Sequence, residues 1–257
     1  MLNNAVHTRL VVKNALRSLL IVACLVPLST TSFAASDSQH TINAIMKDVD
    51  DYASQIRALT AGSGKISVED TYRKGQTAAH RLVRILASLS EEDYRSVETR
   101  MMGYHINRNE VVFVEPDAAF FQRISRHRGT AADSAFFGFL GELRPRNGWP
   151  AYREWQTDSS GCTSFGRGVL TGLYRKAVEH IKTYGSAYLV DMNAALKDIT
   201  VELTESTCAC GDRESTIREL TSFLEAFPED APAPLVRKRL SEIKSGKTTI
   251  RFKCTSG

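Results

Sequence analysis

The chain has 257 residues, of which 42% are hydrophobic and 24% charged, with seven prolines. This is ordinary globular usage and excludes disordered, collagen-like and low-complexity classes. The formal charge is +4, but residues 1–34 carry three basic residues (Arg9, Lys13, Arg17) and no acid; taking those three from 33 leaves 30 basic against 29 acidic residues, a net of +1. A near-neutral chain lacks the positive excess by which nucleic-acid binders neutralise phosphates, so no nucleic-acid partner is expected.

Residues 1–17 are polar and basic, residues 18–28 (SLLIVACLVPL) form a short apolar run, and Ser32-Phe33-Ala34 sets small residues at the −3 and −1 positions of a cleavage site. This three-part pattern predicts a signal peptide over 1–34. It leaves one α-helical domain over 35–257, with an N-terminal part 38–103 and a C-terminal part 117–257 as candidate subdomains. The apolar run is about half the roughly 20 residues of a spanning helix, which argues against a retained anchor. Ile21-Val22-Ala23-Cys24 resembles a bacterial lipobox, whose cysteine is lipidated and becomes the N-terminus. The run continues past Cys24 to Leu28, so simple cleavage is favoured and a lipoprotein is the alternative. No later stretch approaches spanning length. The mature chain is therefore expected in the periplasm or secreted, without a transmembrane segment.

Beyond Cys24 the cysteines are Cys162, Cys208, Cys210 and Cys254. An even count in an exported chain predicts two disulfides. A Cys208–Cys210 bond would close a very small ring against demanding geometry. Each of that pair is therefore expected to reach a distant partner, one Cys162 and the other Cys254. A four-thiolate zinc site would need two-residue spacing, which the close pair lacks. A Cys-x-Cys redox centre has no βαβ pattern beside it.

Taken in chain order, the mature part reads as helices. Ile42, Ile45, Met46, Val49, Tyr52, Ile56 and Leu59 recur in three- and four-residue steps, ended by Gly62 and Gly64. Ser67, with Asp70 three residues on, opens a second helix whose apolar face runs from Tyr72 to Leu89. Ser90, followed by three acids, opens a third, because a hydroxyl and carboxylates satisfy free N–H groups at the positive helix end. Residues 104–115 read as a small β-hairpin. Asp117 caps a helix over 118–128 that Gly129 can end, and Thr130 with Asp133 caps the next, to Leu143. Their five phenylalanines predict a helical hairpin docked into the core. Helices follow over 167–184, 187–204, 212–227 and 235–246. The tail 248–254 alternates and predicts an edge strand pinned by a disulfide. The sum is a mainly α, irregular bundle of eight to nine helices with a minor β element and two disulfides. Residues 215–243, through Phe223-Leu224 and Phe227-Pro228, resemble one tetratricopeptide-type helix pair over 29 of 257 residues. A single pair cannot build a solenoid, so no family follows.

Chemistry-bearing motifs are few. A Gly-rich phosphate loop, a His-Glu-x-x-His helix and a Gly-x-Ser-x-Gly elbow are all lacking. His80, His127 and His180 fall in polar helical faces and read as solvated; His40 lies near the mature N-terminus and His105 in the hairpin. No catalytic residue, metal ligand or cofactor is assigned. The segment 149–167 is the long stretch without periodicity. It gathers Trp149, Tyr152, Trp155, Asp158 and Arg167 around Cys162. Tryptophan, tyrosine and arginine dominate binding hot spots, and a covalent tie would hold the loop still. These five are the candidate binding residues. The alternative is a folded loop with its tryptophans packed down. The expected function is a non-enzymatic envelope module that binds another envelope protein or a cell-wall component, in an inhibitor, immunity or assembly role. The rival is a hydrolase centred on 149–167, with Asp158 as acid or base and Cys162 as nucleophile. Oligomeric state is not legible.

The leader predicts a cut chain. Intact-mass analysis of envelope-fraction protein should give a mature N-terminus at Ala35 or Ser36; a lipidated Cys24 makes it a lipoprotein, and an uncut cytoplasmic chain contradicts export.

Overall fold

The computed structural model describes residues 32–63, 65–109, 111–145, 149–154 and 161–254, with side chains from His40 onward. The signal-peptide core with Cys24, and Trp155 and Asp158, lie outside the described residues. Residues 40–257 form one compact unit.

Among the described residues there are nine α-helices: α1 (Ser32–Ala61), α2 (Val68–Leu82), α3 (Glu91–Arg100), α4 (Ala118–Arg128), α5 (Ala131–Leu143), α6 (Val169–Tyr184), α7 (Leu189–Glu205), α8 (Arg213–Ala226) and α9 (Ala233–Lys244). Two short antiparallel pairs accompany them: β1 (Tyr104–Asn107) with β2 (Phe113–Pro116), and β3 (Arg153–Glu154) with β4 (Cys162–Thr163). The fold is mainly α. No described helix is long and apolar enough to cross a membrane.

Local chemistry sets most helix starts. Ser67 accepts from the Asp70 N–H at 2.9 Å, Ser90 from Asp93 at 3.1 Å, Asp117 from Phe120 at 3.0 Å and Asp212 from Ser215 at 2.8 Å. Thr130 and Asp133 form a reciprocal capping box. Such a cap contributes about 1 kcal/mol. Gly129 closes α4 in an extended conformation rather than the left-handed one.

Two expectations need correction. The helix read to Leu89 stops at Leu82. Backbone bonds there tighten to three-residue spacing (Arg84 N–H to Arg81, Ile85 N–H to Leu82), and a 3-10 turn, Leu86–Ser88, follows. Leu86 and Leu89 are buried from this turn rather than from a helix face. The tail is a single parallel bridge, Arg251 to Cys208, rather than a regular strand.

The α4–α5 hairpin docks its phenylalanines as expected. Phe121, Phe136 and Phe137 are fully buried and surround Tyr72 edge-on at 5.2–5.7 Å, while Tyr188 stacks on Phe136 at 3.8 Å. The Tyr188 hydroxyl donates to Asp133 at 2.5 Å, so the residue that caps α5 also receives a tyrosine from the start of α7. Tyr188 takes a left-handed φ of 54°, a strained value for a side-chain-bearing residue, held by this stacking and hydrogen bond.

The disulfides are Cys162–Cys210 and Cys208–Cys254, with Cα separations of 5.1 and 6.0 Å. They staple three neighbouring stretches. Thr163 N–H donates to Cys208 O at 2.9 Å and Cys210 N–H to Thr163 O at 3.0 Å; on the other side Ala209 N–H donates to Arg251 O at 2.9 Å. Cys208 and Cys210 flank the fully buried Ala209 and bond to opposite neighbours. The rings enclose 48 and 46 residues of separation, each worth about 4 kcal/mol if formed alone; they overlap in sequence, so the contributions do not add in full.

Thiol titration of the mature protein under denaturing, non-reducing conditions should detect no reactive thiol. Two or four would remove the stapled junction.

Candidate functional site

The described residues of the segment 149–167 are anchored by a chain of polar contacts. Ala151 N–H donates to Leu143 O and Ser164 N–H to Tyr152 O, both at 2.8 Å. Arg153 forks onto Glu202 of α7, its Nε 2.9 Å from Oε1 and its Nη2 on the same oxygen. The other Glu202 oxygen accepts from Thr163 Oγ1 at 2.5 Å, which lies 2.6 Å from Ser206 Oγ. Arg239 of α9 closes the network on the carbonyls of Glu202 and Ser206. Burial lowers the Arg239 pKa to about 10. Glu202 is buried, and a buried carboxylate is tolerated because every oxygen is paired.

The candidate binding residues take different positions. Trp149 is half-buried and lies over Gly161, where a Cβ would come within 3.1 Å of its ring. Tyr152 is a core residue, 3% exposed, and burial pushes its hydroxyl pKa up to about 12. Arg167 is the outward-facing one, its side chain 71% exposed and 3.4 Å from Glu154, which also accepts from Ser164 Oγ at 2.9 Å. Trp155 and Asp158 fall outside the described residues. Cys162, the nucleophile of the hydrolase reading, is buried in a disulfide and has no thiolate to offer.

Gly166 and Gly168, on either side of Arg167, lead into α6 with no local side-chain cap. Glu219 of α8 supplies the cap from 51 residues away in sequence for Gly168. Its Oε2 accepts the N–H groups of Gly166 at 2.9 Å and Gly168 at 2.8 Å; its Oε1 accepts the Thr171 N–H at 3.2 Å and hydroxyl at 3.0 Å. The left-handed φ of Gly168 (70°) and Gly166 (86°) lets the two N–H groups converge on one oxygen. At Gly166 a Cβ would also meet Ser215 at 2.7 Å.

Two clefts carry titratable groups that sequence reasoning missed. A cavity of about 220 Å³ is lined by Tyr72, Arg144, Asp191 and Asp198 over an apolar floor including Leu140 and Leu143. The Tyr72 hydroxyl donates to Asp191 at 3.0 Å. Burial raises the pKa of both groups, and the Tyr72 hydroxyl only partly offsets this for Asp191. The second, about 350 Å³, lies between α5 and α6 and includes His180. The sequence reading placed His180 on a polar, solvated face; it is 5% exposed instead. The signal was present: His180 follows Leu173 and Ala177 at helical steps of seven and three, on the stripe that faces the core. His80 and His127 are exposed as expected.

Glu154, Cys162 and Cys210 are the group of potential metal donors found within 4.8 Å of one another among the described residues. Both sulfurs are consumed in the Cys162–Cys210 bond, so the trio offers a single carboxylate and does not fit a metal. No protein-family model matches the chain, and no curated protein or solved structure is significantly similar to it.

Burial lowers the His180 pKa below its ordinary 6.5. The unfolded chain then takes up a proton near pH 6.5 that the folded chain refuses. Stability is full above that pH, falls as pH drops through it, and stops falling below the folded-state pKa. Urea unfolding between pH 8 and 5 should show this loss in the wild type and its absence in His180→Gln. Parallel pH profiles for the two proteins would contradict the burial argument.

Proposed function

We propose that this chain is exported to the cell envelope and serves there as a non-enzymatic binding module for another envelope protein or a cell-wall component, in an inhibitor, immunity or assembly role. Its recognition segment is 149–167. The observation that carries this reading is the contrast between the anchored backbone of its described residues, 149–154 and 161–167, and the exposed charged side chains of Glu154 and Arg167. One disulfide, an arginine–glutamate fork and the Glu219 cap hold the chain on either side of Glu154 and Arg167, whose side chains are 46% and 71% exposed. A loop held in one conformation loses less entropy on association, which is how preorganised binding surfaces gain affinity. Two disulfides also suit an oxidising compartment. The hydrolase reading has less to stand on, since it loses Cys162 as nucleophile.

A photo-crosslinking residue at position 155 or 167 should capture an envelope protein or glycan that the same residue at exposed Val190, on α7, does not capture. With that partner identified, Trp155→Ala should weaken binding about thirtyfold if this tryptophan is a central anchor. Arg167→Glu should weaken it by less and steepen the salt dependence. Helical circular dichroism and melting temperature should stay at wild-type values. Equal affinity in both variants would place the interface elsewhere.

A further inference from the structure

The α5–α6 cleft holds a group whose hydrogen bonding is incomplete. His180 Nε2 lies 3.2 Å from the carbonyl oxygen of Ala187. A carbonyl only accepts, so Nε2 carries the ring proton and Nδ1 is left with a lone pair. Nδ1 is buried and no donor among the described residues meets it. Burial lowers the ring's pKa and so favours the neutral form, in which this nitrogen is an acceptor. Leaving a buried acceptor unsatisfied costs a folded protein about 1–3 kcal/mol, and such groups in native structures call for an explanation. An aromatic hydrocarbon would fill the same volume among Phe136, Tyr184 and Tyr188 without that cost.

The surroundings indicate what would satisfy it. At about 350 Å³ the cleft falls at the small end of ligand clefts, roughly 300–1,000 Å³. Phe139 and Tyr184 offer ring surface, and Ser134, Glu142 and Glu179 offer oxygen acceptors along the rim. Glu142 is paired with Lys176, while Glu179 forms no ion pair among the described residues, so the rim disfavours anions. The guest that fits is neutral, rich in hydroxyl donors and flat-faced enough to lie on a ring.

We propose that the α5–α6 cleft binds a neutral sugar residue, one of whose hydroxyls donates to His180 Nδ1 while others reach the rim carboxylates. Nδ1 is shielded from solvent, so the sugar enters as the half-exposed Tyr184, whose ring lies 4.9 Å from the His180 ring, swings aside and becomes a stacking face. This site is separate from the 149–167 segment and stands or falls independently of it.

The test is an NMR titration of the full mature chain, labelled with 15N, using glucose and N-acetylglucosamine up to high millimolar concentration, with n-butylammonium as the charged comparison. The sugars should shift amides of 134–142 and 176–184 and move the His180 Nδ1 resonance. His180→Gln keeps a side-chain N–H toward Ala187 O and moves the remaining acceptor, its amide oxygen, off the Nδ1 position; it should bind about fivefold more weakly, the loss of one neutral hydrogen bond. Tyr184→Ala, on the half-exposed side of the cleft, should also weaken binding, and it serves as the reading if His180→Gln does not fold. No shifts in the two stretches, or unchanged affinity in a folded His180→Gln, would leave Nδ1 satisfied by water alone and overturn the proposal. So would equal shifts with the alkylammonium, which would make the cleft a cation site.

Discussion

The start of α6 depends on Glu219. This helix packs against α5, α7 and α8, yet it begins at a glycine with no side chain to cap it. A buried carboxylate from α8 takes three backbone N–H groups and a hydroxyl in its place. Hydrogen bonds to a charged group contribute about 1.5–3 kcal/mol each, net of the water contacts they replace. The asymmetry matters more. Without the carboxylate, three converging N–H groups at the positive end of a helix, the buried one of Thr171 among them, would lose their partner, and without the N–H groups a bare charge would be left in the core. The two halves of the contact therefore form together, and they tie the orientation of α6 to that of α8.

The same logic governs the stretch before α6. Glu202 of α7 is satisfied by Arg153, Thr163 and, through its backbone carbonyl, Arg239. The disulfides then join the 162–163 stretch to 208–210 and that to 251–254. Helices supply the volume of this protein, but the irregular segments between them are ordered by buried ionic networks and covalent bonds. Short irregular chain buries too little apolar surface to offset its own ordering entropy, so these segments need directional contacts instead. Within the segment 149–167, the described residues 149–154 and 161–167 are held in this way on both sides.

The aromatic core has a second consequence. Tyr72, Phe136 and Tyr188 bring three chain regions together, and the polar tips of the two tyrosines seek partners as they are buried. Asp133 receives Tyr188 and Asp191 receives Tyr72. Asp191 thus lies at the edge of one cleft and His180, against the other side of the same ring cluster, in the second. Both clefts lie where large rings pack around a few polar groups, and such places concentrate perturbed titratable residues.

Much of the architecture was legible from the amino-acid order alone. The helices follow from three- and four-residue apolar spacing, and Ser67, Ser90, Asp117, Thr130 and Asp212 mark their starts, because a cap acts on an N–H group two or three residues away. The β1–β2 hairpin was legible for the same reason. An even cysteine count behind a leader-like N-terminal segment implied two disulfides, and the cramped ring of Cys208–Cys210 implied distant partners. The choice of Cys162 for Cys210 rather than for Cys208 was decided only by which stretches lie side by side. The end of α2 at Leu82 carries no glycine or proline signal, since the turn is drawn tight by what Leu86 and Leu89 pack against. Glu219, the Arg153–Glu202 fork and the Tyr72–Asp191 pair join residues 48 to 119 positions apart. Periodicity and capping are short-range and can be read along the chain; the partner of a buried charge is set by the packing of whole helices, and only the tertiary structure brings it into reach.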